Sequence, residues 1–552
     1  MHLSVAGFRG SDEMEIERTS SYFRISELAP LGLYSRDEGG LHRPSRSKSN
    51  SMVENRRRRP IGVLSDPIRV AGLLAAATVF GVGISANDAH AGGFELPETG
   101  ARALGRAGAF YVLADDLSAA ILNPGAMINQ PGTNLYITYN IIHAPVTFDR
   151  AESAILDADG NAYPLPPTSE NESPWFPLGV SLVVSSDFGL DDWRFWGAIY
   201  GPNAAGAAKY DQDSAARYML TELDLKLLYF SAGFAWGKQN HYGVGATLQW
   251  AWVPESKFDL VVDGASDTKL SPFTSSFDVL AQFDLSDAGG LTAIVGGWWR
   301  VIPELELGLS GRVAPLYLDM EGDVSLSGIG SFFGTGKLQQ RGTDASIKAV
   351  IPPTLKLGAR YRHLDKSNGN EVFDLEFNLI YEAWSMMEAY DVNVGARVDV
   401  VQPNGSLLIE DSVIPPLTVA KKWKDVIGAR LGSTWNAVPG LFSWSLGALY
   451  ESGASADDYA YVDFAAYDRI GVATGVSFRF TGVDLSLSYL HLFQFDVTTD
   501  EATGKGEQQR PLGQCPQGCD GASPVVANAG TYKTSFNQIG ISVQLHFDEW
   551  MD

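Results

Sequence analysis

Few residues in this chain could do bond-making chemistry. Beyond residue 91 there are five histidines, His143, His241, His363, His491 and His546, and none share a metal-ligand spacing. Asp157-Ala-Asp159-Gly160-Asn161 resembles the start of a calcium loop. Its twelfth position is Thr168 where a bidentate glutamate is needed, so a turn is expected instead. No Gly-x-Ser-x-Gly elbow and no phosphate loop occurs, and no nucleophile stands beside His546. The two cysteines, Cys515 and Cys519, lie in Cys-Pro-Gln-Gly-Cys. That spacing is not the Cys-x-x-Cys of a redox helix, and a zinc site would need further ligands. A small disulfide pinning an external loop is expected. The chain therefore reads as a non-enzyme with no metal and no cofactor.

The elements that carry these residues begin with a leader. Arg56 to Arg59 form a basic patch, Val70 to Ile84 an apolar run of 15 residues, and Ala89-His90-Ala91 places small residues at a cleavage site. The run is shorter than the ~20 residues a membrane helix needs. Residues 1–91 are expected to be a removed signal peptide with a Ser- and charge-rich upstream extension, the conventional signal start being Met52. Without them the chain keeps 29 basic and 55 acidic residues, a net charge of −26. Such a surface excludes nucleic acid as a partner. Mean hydropathy of −0.04 is too polar for a bundle of membrane helices. High glycine (58 residues) and 11% aromatics instead suit a membrane barrel, though a secreted β-sandwich array or propeller would share them.

Period-two alternation decides the fold class. Ile539, Ile541, Val543, Leu545 and Phe547 share one face, with Gln538, Gly540, Ser542, Gln544 and His546 on the other. Similar alternation marks Ile470–Phe480, Asp484–Tyr489, Asp374–Glu382 and Leu355–Arg362. Aromatic residues near segment ends (Trp298, Trp299, Trp384, Trp423, Trp435, Tyr450) suit a membrane interface. The expectation is an all-β transmembrane antiparallel barrel of about fourteen strands over 134–547, followed by a tail at 548–552. Strands are expected near 134–149, 176–187, 193–210, 220–237, 240–260, 287–302, 304–325, 338–363, 371–397, 421–437, 440–452, 467–481, 482–498 and 530–547. Turns at Val301–Glu304 and Ala437–Gly440 should be periplasmic, and inserts 150–175, 261–286, 398–420 and 499–529 external. A barrel this wide leaves a lumen. Residues 92–133, with short helical character at 101–109 and 117–122 and Asp115 or Asp116 as a cap, are expected to fill it as a hatch.

Several stretches together resemble the FadL/TodX-type outer-membrane transporters of long-chain fatty acids and other hydrophobic molecules. They run from Gly93-Phe94 through Gly105-Arg106-Ala107-Gly108 to Asp115-Asp116-Leu-Ser-Ala-Ala-Ile-Leu-Asn123-Pro124-Gly125. Pro352-Pro353-Thr-Leu-Lys-Leu-Gly358, Tyr381-Glu-Ala-Trp384-Ser385, Trp423-Lys424-Asp425, Tyr467-Asp468-Arg469 and Leu487-Ser-Tyr489-Leu-His491-Leu-Phe493 continue the match. The resemblance implies a fourteen-stranded barrel in the bacterial outer membrane, plugged by a hatch with an Asn-Pro-Ala motif. This chain departs there, with Gly125 in place of alanine. It also implies recognition of a terminal aromatic, here Phe547 followed by five more residues, by the barrel-insertion machinery.

The implied activity is capture of a hydrophobic ligand (long-chain fatty acid, alkane or aromatic hydrocarbon) by external loops, binding in the barrel and hatch-gated release. Exit is implied through a sideways gap at a kinked third strand, here Arg194–Tyr210. Gly201, Pro202, Asn203 and Gly206 are its candidates, since Pro and Gly break a ladder. The lumenal cations Arg312, Lys356, Arg360, Arg430 and Arg479 could meet a carboxylate, but ion pairing with Asp374, Glu376, Glu382 and Glu306 is expected instead. The protein is expected to be a monomer surrounded by outer-membrane lipid and lipopolysaccharide. A structural or adhesive surface barrel and a general porin are the alternative readings.

Overall fold

The computed structural model describes residues 93, 100–151, 167–201, 206–263, 277–509 and 526–550. The expected leader, the Asp157–Asn161 stretch, Pro202, Asn203, Cys515 and Cys519 lie outside them. Fourteen antiparallel wall strands close on themselves. The first is Asn134–His143 continued by Val146–Arg150, and the second Thr168–Glu170 with Trp175–Ser186. The third is Trp193–Tyr200 with Ala207–Lys209; Glu222–Lys238, Tyr242–Asp263 and Asp278–Ile302 follow. The seventh to tenth are each interrupted: Leu305–Arg312 with Leu316–Gly328, Asp344–Ile351 with Thr354–Leu364, Glu371–Glu382 with Ala389–Val394, and Leu417–Ala420 with Val426–Val438. Phe442–Glu451, Arg469–Phe480, Val483–Gln494 with Val497–Thr499, and Gly530–His546 complete the ring. Closure is the pairing of first and last strands, from Asn134 opposite His546 to His143 opposite Asn537. An edge strand would leave amides unpaired in hydrocarbon, at several kcal/mol each.

The wall has two zones of opposite sidedness. Near the turn end, apolar side chains point out and polar ones in: Ile539 and Ile541 are exposed while Gln538, Ser542 and Gln544 are buried. Toward the loop end the order reverses. Phe258, Leu260, Phe283, Leu318, Met320 and Val392 are buried, whereas Gln282, Asp284, Asp319, Glu321 and Asp391 face outward. The lower zone therefore suits lipid and the upper zone water.

This reversal corrects several expected boundaries. The fifth strand runs to Asp263 and the sixth starts at Asp278, so much of the expected insert 261–286 is wall. A reading that looks for lipid-facing apolar residues passes over a water-facing extension. Lys337–Arg341, expected to open the eighth strand, instead pairs with Arg397–Val401, which pairs with Leu407–Val413, in a separate three-stranded sheet. The expected insert 398–420 therefore contains a hairpin. Of the expected interface aromatics, Trp299 and Trp435 are exposed, but Trp298, Trp384 and Trp423 are buried inside.

Residues 100–130 lie within the ring. Ala101–Leu104 packs on the first, twelfth, thirteenth and last strands, and the 3-10 segment Pro124–Asn129 on the third to seventh. Arg106 is the anchor. Its guanidinium donates to both oxygens of Asp374 (2.9 Å each), to Thr434 Oγ1 (2.5 Å) and to its own segment's Ala109 carbonyl (2.8 Å). Glu376 in turn accepts from the Val112 and Leu113 amides at 2.9 Å. Arg360 reaches Asp374 and Glu306 at 2.7 Å and also touches Glu371. Glu451 holds Arg430 and Arg469 at 2.7 Å, and Arg430 donates to the Tyr111 hydroxyl (3.0 Å). The expected ion pairing thus holds for Arg360. Arg430 and Arg479 use Glu451 and Asp484 instead, Lys356 lies over the Tyr111 ring at 4.8 Å, Arg312 donates to the Pro352 carbonyl, and Glu382 accepts from the Trp384 indole.

Two outcomes follow from this architecture. Ile541→Arg should cost about 2–4 kcal/mol in urea titrations of the vesicle-folded protein, while the outward upper-zone change Ser286→Lys should stay within ~0.5 kcal/mol. Arg106→Met leaves buried carboxylates short of a partner, a loss of about 3–5 kcal/mol. Limited proteolysis should then cut residues 92–133 in an intact barrel, where the wild type resists.

Candidate functional site

The expected hatch motif sits where the segment meets the wall. The Asn123 side chain accepts from the Gly125 amide (3.1 Å) and donates to the carbonyls of Tyr111 (2.7 Å) and Gly297 (3.1 Å). One buried side chain thus ties two parts of the segment to the sixth strand. Pro124 opens the 3-10 turn at a position that needs no amide hydrogen. Gly125 lies against Gly243, Gly296 and Gly297. A methyl group on it would come within 2.7–2.8 Å of their backbone atoms. The departure from alanine at position 125 therefore has a steric reason: backbone packs on backbone across this seat.

Neither expected cap residue holds the N-cap of Ala119–Leu122, which is Ser118; Asp116 Oδ1 accepts from the Ser118 amide (2.9 Å) and hydroxyl (2.5 Å) just before the helix. Asp115 instead pairs with Arg102 at 2.6 Å. Burial pushes the Asp116 carboxyl up to about 6, against the opposing pull of the Ser118 hydrogen bond and the Arg102 charge.

Above the segment the reversed zone forms an apolar chamber. Leu225, Phe258, Met320, Ile347, Tyr390 and Phe464 represent its lining, around a cavity of about 40 Å³. Ser256 is a polar residue of this lining, while the Tyr390 hydroxyl is fully buried. A second apolar recess shares Phe258 and runs along Phe283, Val394 and Val419. Phe464 comes from the loop between the eleventh and twelfth strands, which folds inward: Ala454, Ala460, Val462 and Tyr467 are buried. Asp463 on that loop meets Lys421 at 2.5 Å, and both are almost fully buried. The Lys421 ammonium lies over the rings of Tyr461 (4.0 Å) and Tyr390 (4.8 Å). Trp384 and Trp423 stack edge-on at 5.2 Å, between the chamber and Gly93. Sequence reasoning missed Arg106, Lys421 and Asp463. It could have found the chamber from the inverted alternation in Phe258-Asp-Leu260-Val-Val262 and Val392-Asn-Val394.

The described pieces of the third strand, Trp193–Tyr200 and Ala207–Lys209, flank the lateral-gap candidates Pro202 and Asn203, which lie outside the described residues. The described ladder to the second strand reaches Ser181 opposite Tyr200. The next described bonds across this seam are Glu172 N to Lys209 O (2.8 Å) and Lys209 N to Asn171 Oδ1 (3.0 Å). Gly201 follows the lower piece, and Gly206 precedes the upper piece, which pairs with the fourth strand. The Gly206 carbonyl accepts from the amide of Leu225 (2.7 Å), a chamber residue. Tyr200 and Tyr229 stack at 5.1 Å on the inner side of the seam. No site residue here has the arrangement of a nucleophile with its base; the bore offers apolar contact and ordered charge.

Known proteins share this architecture. A FadL homologue from Pseudomonas aeruginosa superposes with a TM-score of 0.65 at 14% identity, over 83% of this chain and 100% of its own. The toluene transporter TbuX of Ralstonia pickettii gives 0.53 at 12% identity, over 82% and 99%. The CymD monoaromatic hydrocarbon channel gives 0.51 at 14%, again over 82% and 99%. At such identities these likenesses speak for the fold. No curated protein matches by sequence. The profile of the outer membrane protein transport proteins (OMPP1/FadL/TodX) matches residues 82–528. The chain belongs to that family, and is an outer-membrane barrel transporter of hydrophobic compounds rather than an enzyme.

Proposed function

We propose that the protein takes up hydrophobic small molecules, of the class that spans long-chain fatty acids, alkanes and monoaromatic hydrocarbons, and releases them sideways at the third strand. Such a molecule crosses a charged lipopolysaccharide layer poorly. A chamber that buries its alkyl carbons replaces the lost apolar surroundings, at about 0.8 kcal/mol per CH₂. Ordering and desolvation consume part of that gain. The external loops make first contact, and the chamber holds the ligand above residues 92–133, which act as a hatch.

What supports the lateral route is a Gly- and Pro-containing stretch, Gly201 to Gly206, within the third strand, whose Gly206 carbonyl accepts from the amide of the chamber residue Leu225. The hatch is held at its far side by Arg106 and at its near side by Asn123, so its movement is a local release at one end rather than expulsion.

Pro202→Val restores an amide donor within the third strand. It should reduce uptake of labelled oleate or toluene by expressing cells at least about fivefold, with the heat-modifiable folded band unchanged. Equal uptake by wild type and variant would exclude the third strand as the route. Unchanged ligand binding alongside lost uptake would assign the defect to release.

A further inference from the structure

Cations are plentiful in the bore, yet among the described residues the buried ones already have partners. Arg106 and Arg360 hold Asp374, Arg430 and Arg469 hold Glu451, and Arg217 holds Asp278. The cation behind the chamber wall is Lys421. Its ammonium is bound to Asp463 and covered by the rings of Tyr390 and Tyr461, and Tyr390 itself lines the chamber.

A carboxylate entering here meets a neutral pair rather than a positive charge. To reach Lys421 it must pass the aromatic cover and displace Asp463, which would strand a buried carboxylate without its counter-ion. If it stayed in the chamber, it would lose its water among aliphatic and aromatic side chains, with Ser256 as a nearby polar residue. A hydrocarbon incurs neither cost.

We propose that the chamber selects uncharged hydrocarbon ligands over chains that carry an ionised carboxylate, because Lys421 and Asp463 neutralise one another behind its wall. This rests on the transport reading above and narrows its substrate class. Asp463 thus serves as a specificity-determining residue that withholds the lysine from anionic head groups.

The test compares oleate with methyl oleate, which share a chain and differ in charge, by binding to the purified full-length protein in detergent micelles at pH 8. The wild type should bind methyl oleate at least about tenfold more tightly than oleate. Asp463→Asn removes the lysine's counter-ion, so that a bound carboxylate takes its place as the partner of the protonated amine, and should tighten oleate binding about tenfold while leaving methyl oleate within about twofold. The double variant Asp463→Asn/Lys421→Met should lose that gain. A wild type that prefers oleate, or a folded Asp463→Asn protein with an unchanged preference, overturns the proposal. Should Asp463→Asn fail to fold, the wild-type preference alone decides. Binding of neither ligand, together with no uptake of alkane or toluene by cells, would instead overturn the transport reading.

Discussion

The demand that no backbone amide go unpaired in hydrocarbon governs this molecule. It forces the first strand onto the last, and with fourteen strands it fixes a bore too wide for wall side chains to fill. Everything inside answers that vacancy. A second polypeptide layer has to enter, and any layer in that space brings its own amides and charges. The Asn123 side chain, the Glu376 carboxylate and the Arg106 guanidinium satisfy such groups, each from a position that also fixes the segment to the wall. The polar lower bore is thus the necessary counterpart of a lipid-facing apolar exterior.

The upper zone follows from the same accounting with the solvents exchanged. Above the lipid, the outside of the wall meets water and the polar residues move there, leaving the apolar face of each strand for the interior. Continuous strands cross this boundary: Tyr242–Asp263 carries Leu248 and Trp250 outward below, then Phe258 and Leu260 inward above. The register shift between Ala251 and Ser256 lies between these two stretches. A bulge adds a residue to one strand, and an odd insertion turns the following side chains to the opposite face. The chamber is therefore built by the wall itself, with the inward loop bearing Phe464 closing it.

Much of this was legible in the sequence because period-two alternation is a strong signal wherever each face keeps one solvent. The last strand shows it at its clearest, and Gly530–His546 matches the expected 530–547 almost residue for residue. Legibility failed where the solvent on each face changed, as at Asp278–Ser286, or where a strand left the wall for another sheet, as at Lys337–Arg341. Tryptophan misled for a related reason. Its ring suits a membrane interface and an apolar interior equally, so Trp384 and Trp423 could not be placed without knowing which end of the bore they stood in. The ion pairs were legible in kind but not in partner. Arg106 and Asp374, or Lys421 and Asp463, come from distant segments that only barrel closure brings together.

Along the seam between the second and third strands the described ladder reaches Ser181 opposite Tyr200. Unpaired strand at membrane depth is tolerated where protein or a water-filled cavity covers it. Here the Tyr200–Tyr229 stack lies on the inner side, and the Leu225 amide, from the fourth strand, takes up the Gly206 carbonyl. The first strand meanwhile keeps its pairing to the second through Tyr139 opposite Val180 and Asn140 opposite Gly179. On their other sides the strands of this seam are laddered, the second to the first and the third to the fourth.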